Sequence, residues 1–558
     1  MTSNILNKVV KTTLISTLAS TFLLGADVPT IGDVEKQIKI PNIKKEQTPL
    51  VDLGGVKEYK APMIDSGKTL LINDFKITGN DHIKTAVLEQ FFIDSKGKNL
   101  TFNELQTIAS AITKYYRENG YFVARAYIPA QNVLKNNNVL EIAVIEGNYG
   151  EFKLDNKSLV KNFIVQGMLD NAKQRDNVIS TNTLERAMLI INDTPGVVVS
   201  AADVMPGTNV GTSDFAISTQ ASKKYDGYLV TDNTGSRYTG KYRAMAGLNI
   251  NSPFNIGDKI ALSGLVSNGH NLKNGRIGYS LPLASNGLRG EIAYSKTDYS
   301  LTDSYKELDA VGNSNTVEAI LTYPYIRTRT ENLNTTLSLA KKVSEDIVNS
   351  TNTTTKKDTK SLTLGLDYTK NYLAFTKNTN SSVNINLTYG NLKDQSTDII
   401  NGNYSKVNID LNHNIALTNT ISLESSLKTQ YALGNKNLTG SEDFSIGGES
   451  GVKLYPSGEL SAENGYIFTI EAKYQLPVYK NISNTIGVFY DRGRAWMTNS
   501  EDDTTFEAKS LQDMGIGLYT SYDKYFSKVQ IAWNTNSDKV TSEPNRNSRI
   551  LFHGGMSF

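Results

Sequence analysis

The chain has 558 residues, of which 39% are hydrophobic, and it carries a formal net charge of +2 and no cysteine. The near balance of charge argues against a nucleic-acid-binding protein, which needs a concentrated basic face. The absence of cysteine excludes thiol catalysis, disulfides and thiolate metal sites. Because the four histidines are scattered along the chain, we expect no metal site. No cofactor is expected either.

The first 26 residues are predicted to be a secretory signal peptide. Lys8 and Lys11 give a positive start, an apolar stretch follows over 14–24, and cleavage is expected after Ala26. The apolar stretch is shorter than the about 20 residues that cross a bilayer; the alternative is a buried N-terminal helix. Since no later apolar run approaches ~18 residues, the mature chain is expected to be exported, either as a soluble protein or as a membrane β-barrel.

Two small α/β units are predicted after a linker. Residues 27–70 form the linker, with one short helix over Ile31–Ile38. Units 71–147 and 148–222 each show a strand, two helices with 3.6-residue apolar spacing and two strands. The predicted segments are 71–77, 83–92, 102–118, 122–128 and 139–146 in the first unit, and 150–154, 159–169, 183–191, 197–201 and 215–221 in the second.

Residues 223–558 alternate between apolar and polar side chains. Leu362, Leu364 and Leu366, for example, alternate with small or polar residues. Strands of about ten residues with this pattern are typical of a transmembrane antiparallel β-barrel, and the segment is long enough for about 16 of them around an aqueous lumen. The 29 tyrosines would suit girdles at the membrane interfaces. The alternative is a β-sandwich or a periplasmic solenoid.

Several segments resemble one known family in the same order. These segments are 120–131 and 144–147 in the first unit, 184–187, 195–197 and 206–214 in the second, and 232–240 at the start of the barrel. They are similar to two-partner secretion transporters, the outer-membrane pores that export haemolysins and filamentous-haemagglutinin-like adhesins. The resemblance implies two periplasmic POTRA domains, an outer-membrane barrel, and translocation of a large exoprotein, which some family members also activate.

A segment near residue 450 resembles the long-loop motif of that family. In the family, a Val-Arg-Gly-Tyr tetrapeptide lies at the tip of an extracellular loop that folds back into the lumen, and its arginine meets an aspartate of the barrel wall. The corresponding residues here are Gly447 and Gly448 where the loop (444–465) enters, the tip Val452, Lys453, Leu454 and Tyr455, and the wall residues Phe489, Asp491 and Gly493.

Lysine in place of arginine changes the expected contact. An ammonium cannot make the forked two-bond contact of a guanidinium with a carboxylate. In a wet lumen, a Lys453–Asp491 pair would contribute about 1 kcal/mol or less. We therefore expect a pair that holds the loop less tightly; the alternative is that Lys453 is one more solvated luminal charge.

The resemblance implies further roles and partners. The helix that carries Ile31, Val34 and Ile38 resembles the plug helix that the family threads through its pore; the alternative is an unstructured linker. A terminal Phe558 is what outer-membrane barrels present to the barrel-assembly machinery. The expected partners are outer-membrane lipid and an exoprotein with an N-terminal β-helix secretion domain, recruited by strand addition to the POTRA sheets, and the transporter is expected to be a monomer.

The sequence leaves three alternative functions to consider against this resemblance: an enzyme, a passive porin and an insertase. An enzyme is disfavoured because the chain has no Gly-x-Ser-x-Gly, His-Glu-x-x-His or Walker sequence. A passive porin would lack the α/β units at 71–222. An insertase that assembles other barrels belongs to the same superfamily and remains the closest alternative, although two POTRA units favour the secretion branch by resemblance.

Overall fold

The computed structural model describes residues 28–38, 67–395, 400–434, 438–499, 506, 508–536 and 538–558. The predicted signal peptide and most of the predicted linker lie outside these ranges. Within them, a short helix α1 (Ile31–Glu35) precedes two α/β units and a closed barrel. No helix in this part of the chain is long and apolar enough to cross a membrane.

The first α/β unit has a three-stranded sheet in the order β2-β5-β4, covered by a 17-residue helix. Its elements are β1 (Thr69–Ile72), β2 (Asp74–Thr78), α2 (Thr85–Leu88), β3 (Lys98–Thr101), α3 (Phe102–Glu118), β4 (Arg125–Tyr127) and β5 (Val139–Ile145). A capping box between Thr101 and Glu104 fixes the start of α3. Leu105, Ile108 and Ile112 on one face of α3 are buried against the sheet.

Three predicted segments of this unit differ from the structure. The strand predicted over 71–77 is divided at Asn73, because buried Ile72 and Phe75 are three residues apart and cannot lie on one face of a continuous strand. Strand β1 pairs with β3 instead. The predicted helix 83–92 is α-helical only over α2, and 3₁₀ turns continue it. The predicted strand 122–128 is reduced to β4, because Phe122 and Val123 pack against the second unit.

The second α/β unit repeats the plan with a sheet in the order β6-β8-β7. Its elements are β6 (Asn148–Lys157), α4 (Asn162–Arg175), α5 (Thr181–Asp193), β7 (Val198–Pro206) and β8 (Thr212–Gln220). Strands β6 and β8 are parallel, whereas β7 and β8 are antiparallel. The predicted order of elements is therefore confirmed, with boundaries that shift by a few residues.

The remainder of the described chain forms a closed antiparallel barrel of sixteen strands, as predicted. The barrel strands are β9 (Tyr225–Asp232), β10 (Arg243–Asn251), β11 (Lys259–Ser267), β12 (Leu272–Pro282), β13 (Arg289–Ser300), β14 (Ala310–Arg327), β15 (Glu331–Val348), β16 (Thr353–Ala374), β17 (Lys377–Asp394), β18 (Gly402–Ala416), β19 (Ile421–Leu433), β22 (Asn464–Gln475), β23 (Ser483–Trp496), β24 (Ser510–Tyr522), β25 (Tyr525–Asn534) and β26 (Ser548–Ser557). A two-residue pair, β20 (Phe444–Ser445) with β21 (Ser461–Ala462), lies outside this ring.

Side-chain exposure confirms the predicted faces of the barrel. Leu362, Leu364 and Leu366 are exposed on the outer face. Val488 is 52% exposed while Asp491 of the same strand is fully buried, so Asp491 points inward as strand parity predicts. Strand length departs from the expected ten residues: β16 has 22 residues and β9 has eight.

The second unit docks on the barrel turns nearest to it, which define the proximal end of the barrel. Asp193 accepts hydrogen bonds from Arg327 Nε and Nη2 at 2.6 and 2.8 Å, a two-bond contact of carboxylate and guanidinium. Arg186 Nη2 donates to the Pro324 carbonyl at 2.5 Å. Glu185 accepts from the Arg329 backbone N–H at 2.8 Å. The segment 184–187 therefore positions the second unit against the pore.

A histidine lies where the two α/β units meet. His82 Nδ1 is 2.6 Å from Glu146 of the first unit, and His82 Nε2 is 3.5 Å from Asp176 of the second. The hydrogen bond with Glu146 raises the pKa of His82 above its ordinary value. Protonated His82 is thus held between two carboxylates that belong to different units.

We expect the contact between the units to weaken as the pH rises. Because the folded-state pKa of His82 is raised, the stabilisation is complete below the unfolded value near 6.5 and is lost as the pH rises through the folded value. Hydrogen exchange at residues 176–181 should therefore be faster at pH 8 than at pH 6, after correction for intrinsic rates. His82→Gln should remove that difference, and an unchanged difference in the variant would contradict the assignment.

Candidate pore and luminal loop

Residues 438–463, which precede β22, fold back into the barrel lumen from the distal end. The pair β20–β21 forms the neck of this loop, and the tip follows at 446–456. Gly448 has φ +94°, and its N–H donates to the Tyr455 carbonyl at 2.8 Å, which closes the tip on itself. At Gly447 a side chain would clash with the Pro456 carbonyl. The two predicted glycines therefore shape the tip rather than the start of the loop.

The predicted tetrapeptide is among the most buried parts of the barrel. Val452, Leu454 and Tyr455 are fully buried, and Lys453 is 8% exposed. They pack with Ile467, Phe489 and Leu511 of the wall. Gly493 makes room for them, because a Cβ there would lie 3.2 Å from Val452 Cγ2. The loop tip is thus packed like a protein core.

Lys453 contacts Asp491 directly, and we call these two residues the latch pair. Its Nζ donates to Oδ1 at 2.9 Å and to Oδ2 at 2.7 Å. The ammonium also lies 4.4 Å from the centre of the Phe489 ring, a cation–π contact. Thr469 Oγ1 donates to Asp491 Oδ1 at 2.7 Å.

The expectation of a wet lumen around this pair is wrong. Asp491 has no exposed surface and the Lys453 side chain is 10% exposed, because the tip itself displaces water from the wall. Breaking a buried pair by removing one partner typically costs about 3–5 kcal/mol, since the other charge stays buried. The alternative of a solvated luminal lysine is excluded by the same burial.

Two further wall residues hold the tip, and sequence reasoning missed both. Asp513 lies opposite Asp491 in the strand register, and it accepts the Leu454 N–H at 2.5 Å. Arg549 Nη1 donates to the Tyr455 carbonyl at 2.8 Å. Asp513 followed by Gly515 repeats the spacing of Asp491 and Gly493, a signal that could have identified it.

Helix α1 lies inside the lumen, against the wall formed by β9–β15. Ile31 and Val34 are buried there with Met245 and Leu265, and Ile38 packs against the same group. The helix is shorter than predicted, since residues 36–38 form a turn. Polar contacts fix both ends of this segment: Ile31 N–H donates to Asp346 at 2.8 Å, and Arg243 donates to the Gln37 carbonyl at 2.6 Å.

The helix and the loop touch each other. A Cβ on Gly32 would lie 2.6 Å from the Ser441 backbone nitrogen, so only glycine permits this approach. Glu35 pairs with Lys342 of the wall at 3.2 Å. Together α1 and the loop occupy the lumen and pack against different strands of its wall.

Phe558 lies at the seam, the junction of β26 with β9 that closes the barrel. Its N–H donates to the Gly227 carbonyl at 3.0 Å, and its carbonyl accepts from Gly227 N–H at 3.2 Å. The ring is 39% exposed on the outer face. In the described residues no group of three His, Asp or Glu side chains is placed to hold a metal ion.

A family model described as haemolysin secretion/activation protein ShlB/FhaC/HecB matches residues 211–520, more than half of the chain. The chain belongs to this family. A second model, POTRA domain, ShlB-type, matches residues 70–147. The transporter is therefore an outer-membrane barrel with periplasmic α/β units that translocates a partner exoprotein. The proximal end of its barrel faces the periplasm.

Relatives and solved structures agree with this membership. The transporter is 28% identical over 518 residues to the heme/hemopexin transporter protein HuxB of Haemophilus influenzae, covering 89% of this chain and 90% of that one. It is 22% identical to the outer membrane transporter CdiB of Dickeya dadantii, over 77% and 76% of the chains. The structure of CdiB from Escherichia coli matches with a TM-score of 0.72 at 18% identity, over 92% and 93%.

The insertase alternative shares the fold but not the family match. BamA from Haemophilus ducreyi lacking POTRA domains 1–3 has a TM-score of 0.51 at 14% identity, over 88% of this chain and 100% of that one. Such a likeness shows the fold alone. The family model decides between the two, and members of the matched family are transporters.

Proposed function

We propose that the latch pair holds the loop in the lumen, that α1 plugs the remaining space, and that both must move for a partner protein to be exported. The buried contact of Lys453 with Asp491 is the observation that supports this most directly. It is a buried charge pair between the loop tip and the barrel wall. We infer a passage that opens and closes without a catalytic step of its own.

The chain is divided as follows in this proposal. Residues 1–26 are the signal peptide, 27–70 the plug helix and linker, 71–147 and 148–222 two POTRA domains, and 223–558 the barrel. Phe558 is the signal for insertion by the barrel-assembly machinery, and its ring on the lipid-facing side suits that role. The transporter acts as a monomer, because the ring of strands closes within one chain.

The partner is an exoprotein with an N-terminal β-helix secretion domain, recruited in an extended state. Strand addition needs a sheet edge, and β2, β4, β6 and β7 are edge strands of the two small sheets. Backbone hydrogen bonds of this kind suit a polypeptide that must stay extended until it is outside. The likeness to HuxB makes a heme- or hemopexin-related protein the first partner to test.

The test is a comparison of the culture medium. Cells with the natural transporter should release one large polypeptide that cells without it do not release. A variant that lacks residues 71–147 should assemble its barrel and still release none. Equal release by that variant would contradict recruitment through the first unit, and an unchanged medium without the transporter would contradict export altogether.

A further inference from the structure

A row of one histidine and three charged side chains crosses the barrel seam on its luminal face. Lys528 of β25, His553 of β26, Asp232 of β9 and Arg243 of β10 are directly opposite one another in successive strand registers. We call these four residues the seam row. Side chains opposite each other on neighbouring antiparallel strands share a face and interact. The row therefore joins the last two strands of the barrel to the first two.

The seam is the shortest ladder in the described barrel. Strands β9 and β26 pair over residues 228–232 and 553–557. Asn233 extends the pairing with its side chain: its Oδ1 accepts the Phe552 N–H at 2.8 Å, and its Nδ2 donates to the Ile550 carbonyl at 3.0 Å. A short ladder gives few backbone hydrogen bonds. Side-chain contacts therefore contribute more to holding β26 against β9 than they do between other neighbouring strands.

Glu449 of the luminal loop lies over the seam row. Its Oε1 accepts a hydrogen bond from Lys528 at 2.5 Å, and it is 3.8 Å from His553. Its Oε2 is 3.3 Å from Thr234, which is bonded in turn to Arg243 and Asp232. The Thr234 hydroxyl has one proton, so it donates either to Glu449 or to Asp232. One loop carboxylate thus contacts groups on both sides of the seam.

The charges of the row balance only with the loop in place. Lys528 and Arg243 are cations on opposite sides of the seam, and Asp232 supplies one negative charge between them. Arg243 and Asp232 are bonded at 2.8 Å with side chains 5% and 0% exposed, so this pair is internally neutral. Lys528 forms its ion pair with Glu449 of the loop, with 2.5 Å between Lys528 Nζ and Glu449 Oε1.

We infer that Glu449 is a positioning residue that links the inserted loop to closure of the barrel seam. With the loop inserted, its carboxylate links Lys528 of β25 to Thr234 in the segment that follows β9. When the loop leaves, Lys528 loses its counter-charge and the seam loses a cross-strand contact. The inference concerns closure of the barrel and does not depend on which partner is exported.

The absence of natural cysteines allows a direct test of this link. Leu229 and Met556 are opposite each other across the seam, and as a cysteine pair they would form a disulfide across a hydrogen-bonded position of an antiparallel ladder. We compare Glu449→Gln with and without this cross-link, in purified full-length protein. The measurements are the temperature of barrel unfolding and the frequency of conductance transitions in planar bilayers.

Glu449→Gln should unfold several degrees lower and show severalfold more frequent transitions, and the oxidised cross-link should restore both. Glu442→Gln is the matched control, because Glu442 is on the same loop but pairs with Lys406 of β18 at 2.9 Å, away from the seam. The cross-link should restore nothing in that control. Lys528→Gln should reproduce Glu449→Gln, which covers the case in which the first variant fails to assemble.

Two results would overturn the inference. One is a Glu449→Gln protein that unfolds and conducts like the natural chain. The other is a Glu449→Gln defect that persists unchanged with the seam cross-linked, since this would place the effect in the loop and not at the seam. Neither readout involves a partner protein, so failure here is distinguishable from failure of the proposed export function.

Discussion

Replacement of Lys453 by methionine is expected to abolish export. Methionine fills much of the same space beside Phe489 but leaves Asp491 and Asp513 buried without the ammonium between the loop and the wall. The loss of one partner of a buried pair typically costs about 3–5 kcal/mol. The loop tip should then leave its place on the wall without returning to it. The cycle of holding and release that the proposal requires is lost, so export of the partner, measured in the culture medium, should fall to background.

A charge exchange separates the latch pair from a general packing defect. Lys453→Asp combined with Asp491→Lys should recover export that each single substitution loses, because the opposite charges again meet at the same position. Lys428→Met is the control: Lys428 also reaches the loop, but through a hydrogen bond of 3.3 Å to the Ser450 carbonyl. A double variant no better than either single would show that this pair does not hold the loop.

Deletion of residues 28–38 is expected to give a large increase in ion conductance. Helix α1 occupies the lumen and is held by Asp346, Arg243 and Lys342, so removing it leaves a continuous aqueous path beside the loop. Planar-bilayer recordings of the full-length and deleted transporters should show the difference in mean conductance. Equal conductance of the two would contradict a plugging role.

A point substitution that weakens the hold on α1 should also raise the ion conductance, but by less than the deletion does. Glu35→Gln removes the ion pair with Lys342 and should raise the fraction of time spent open. Lys36→Gln is the matched control, because the ion pair of Lys36 is with Asp33 of the same helix. It should therefore leave the conductance close to that of the natural chain.

Local periodicity explains how much of the fold was predictable. Alternation with a period of two identified the barrel and the inward direction of Asp491. The 3.6-residue spacing identified α3 with the same first and last residues as the structure has. Period alone failed at Asn73, where the chain passes from one sheet to another, and at Phe122 and Val123, whose apolar side chains are buried by the neighbouring unit.

The residues of the candidate site could be predicted from the sequence, but the burial of their side chains could not. The resemblance identified Lys453 and Asp491, yet the burial of that pair arises from side chains on β22–β25 that are distant in sequence. Because glycine weakens helices, Gly32 disfavours a helix when the sequence is considered alone. Its role is visible only once Ser441 is placed against it.

The close approach of Gly32 to Ser441 has a consequence for how the pore opens. Because each luminal element covers part of the other, withdrawing one exposes surface that both had buried, and the second is then held less strongly. Packed elements of this kind tend to have discrete arrangements instead of a continuous range. Opening should therefore be cooperative, with α1 and the loop released as one event and a single large conductance step in place of two small ones.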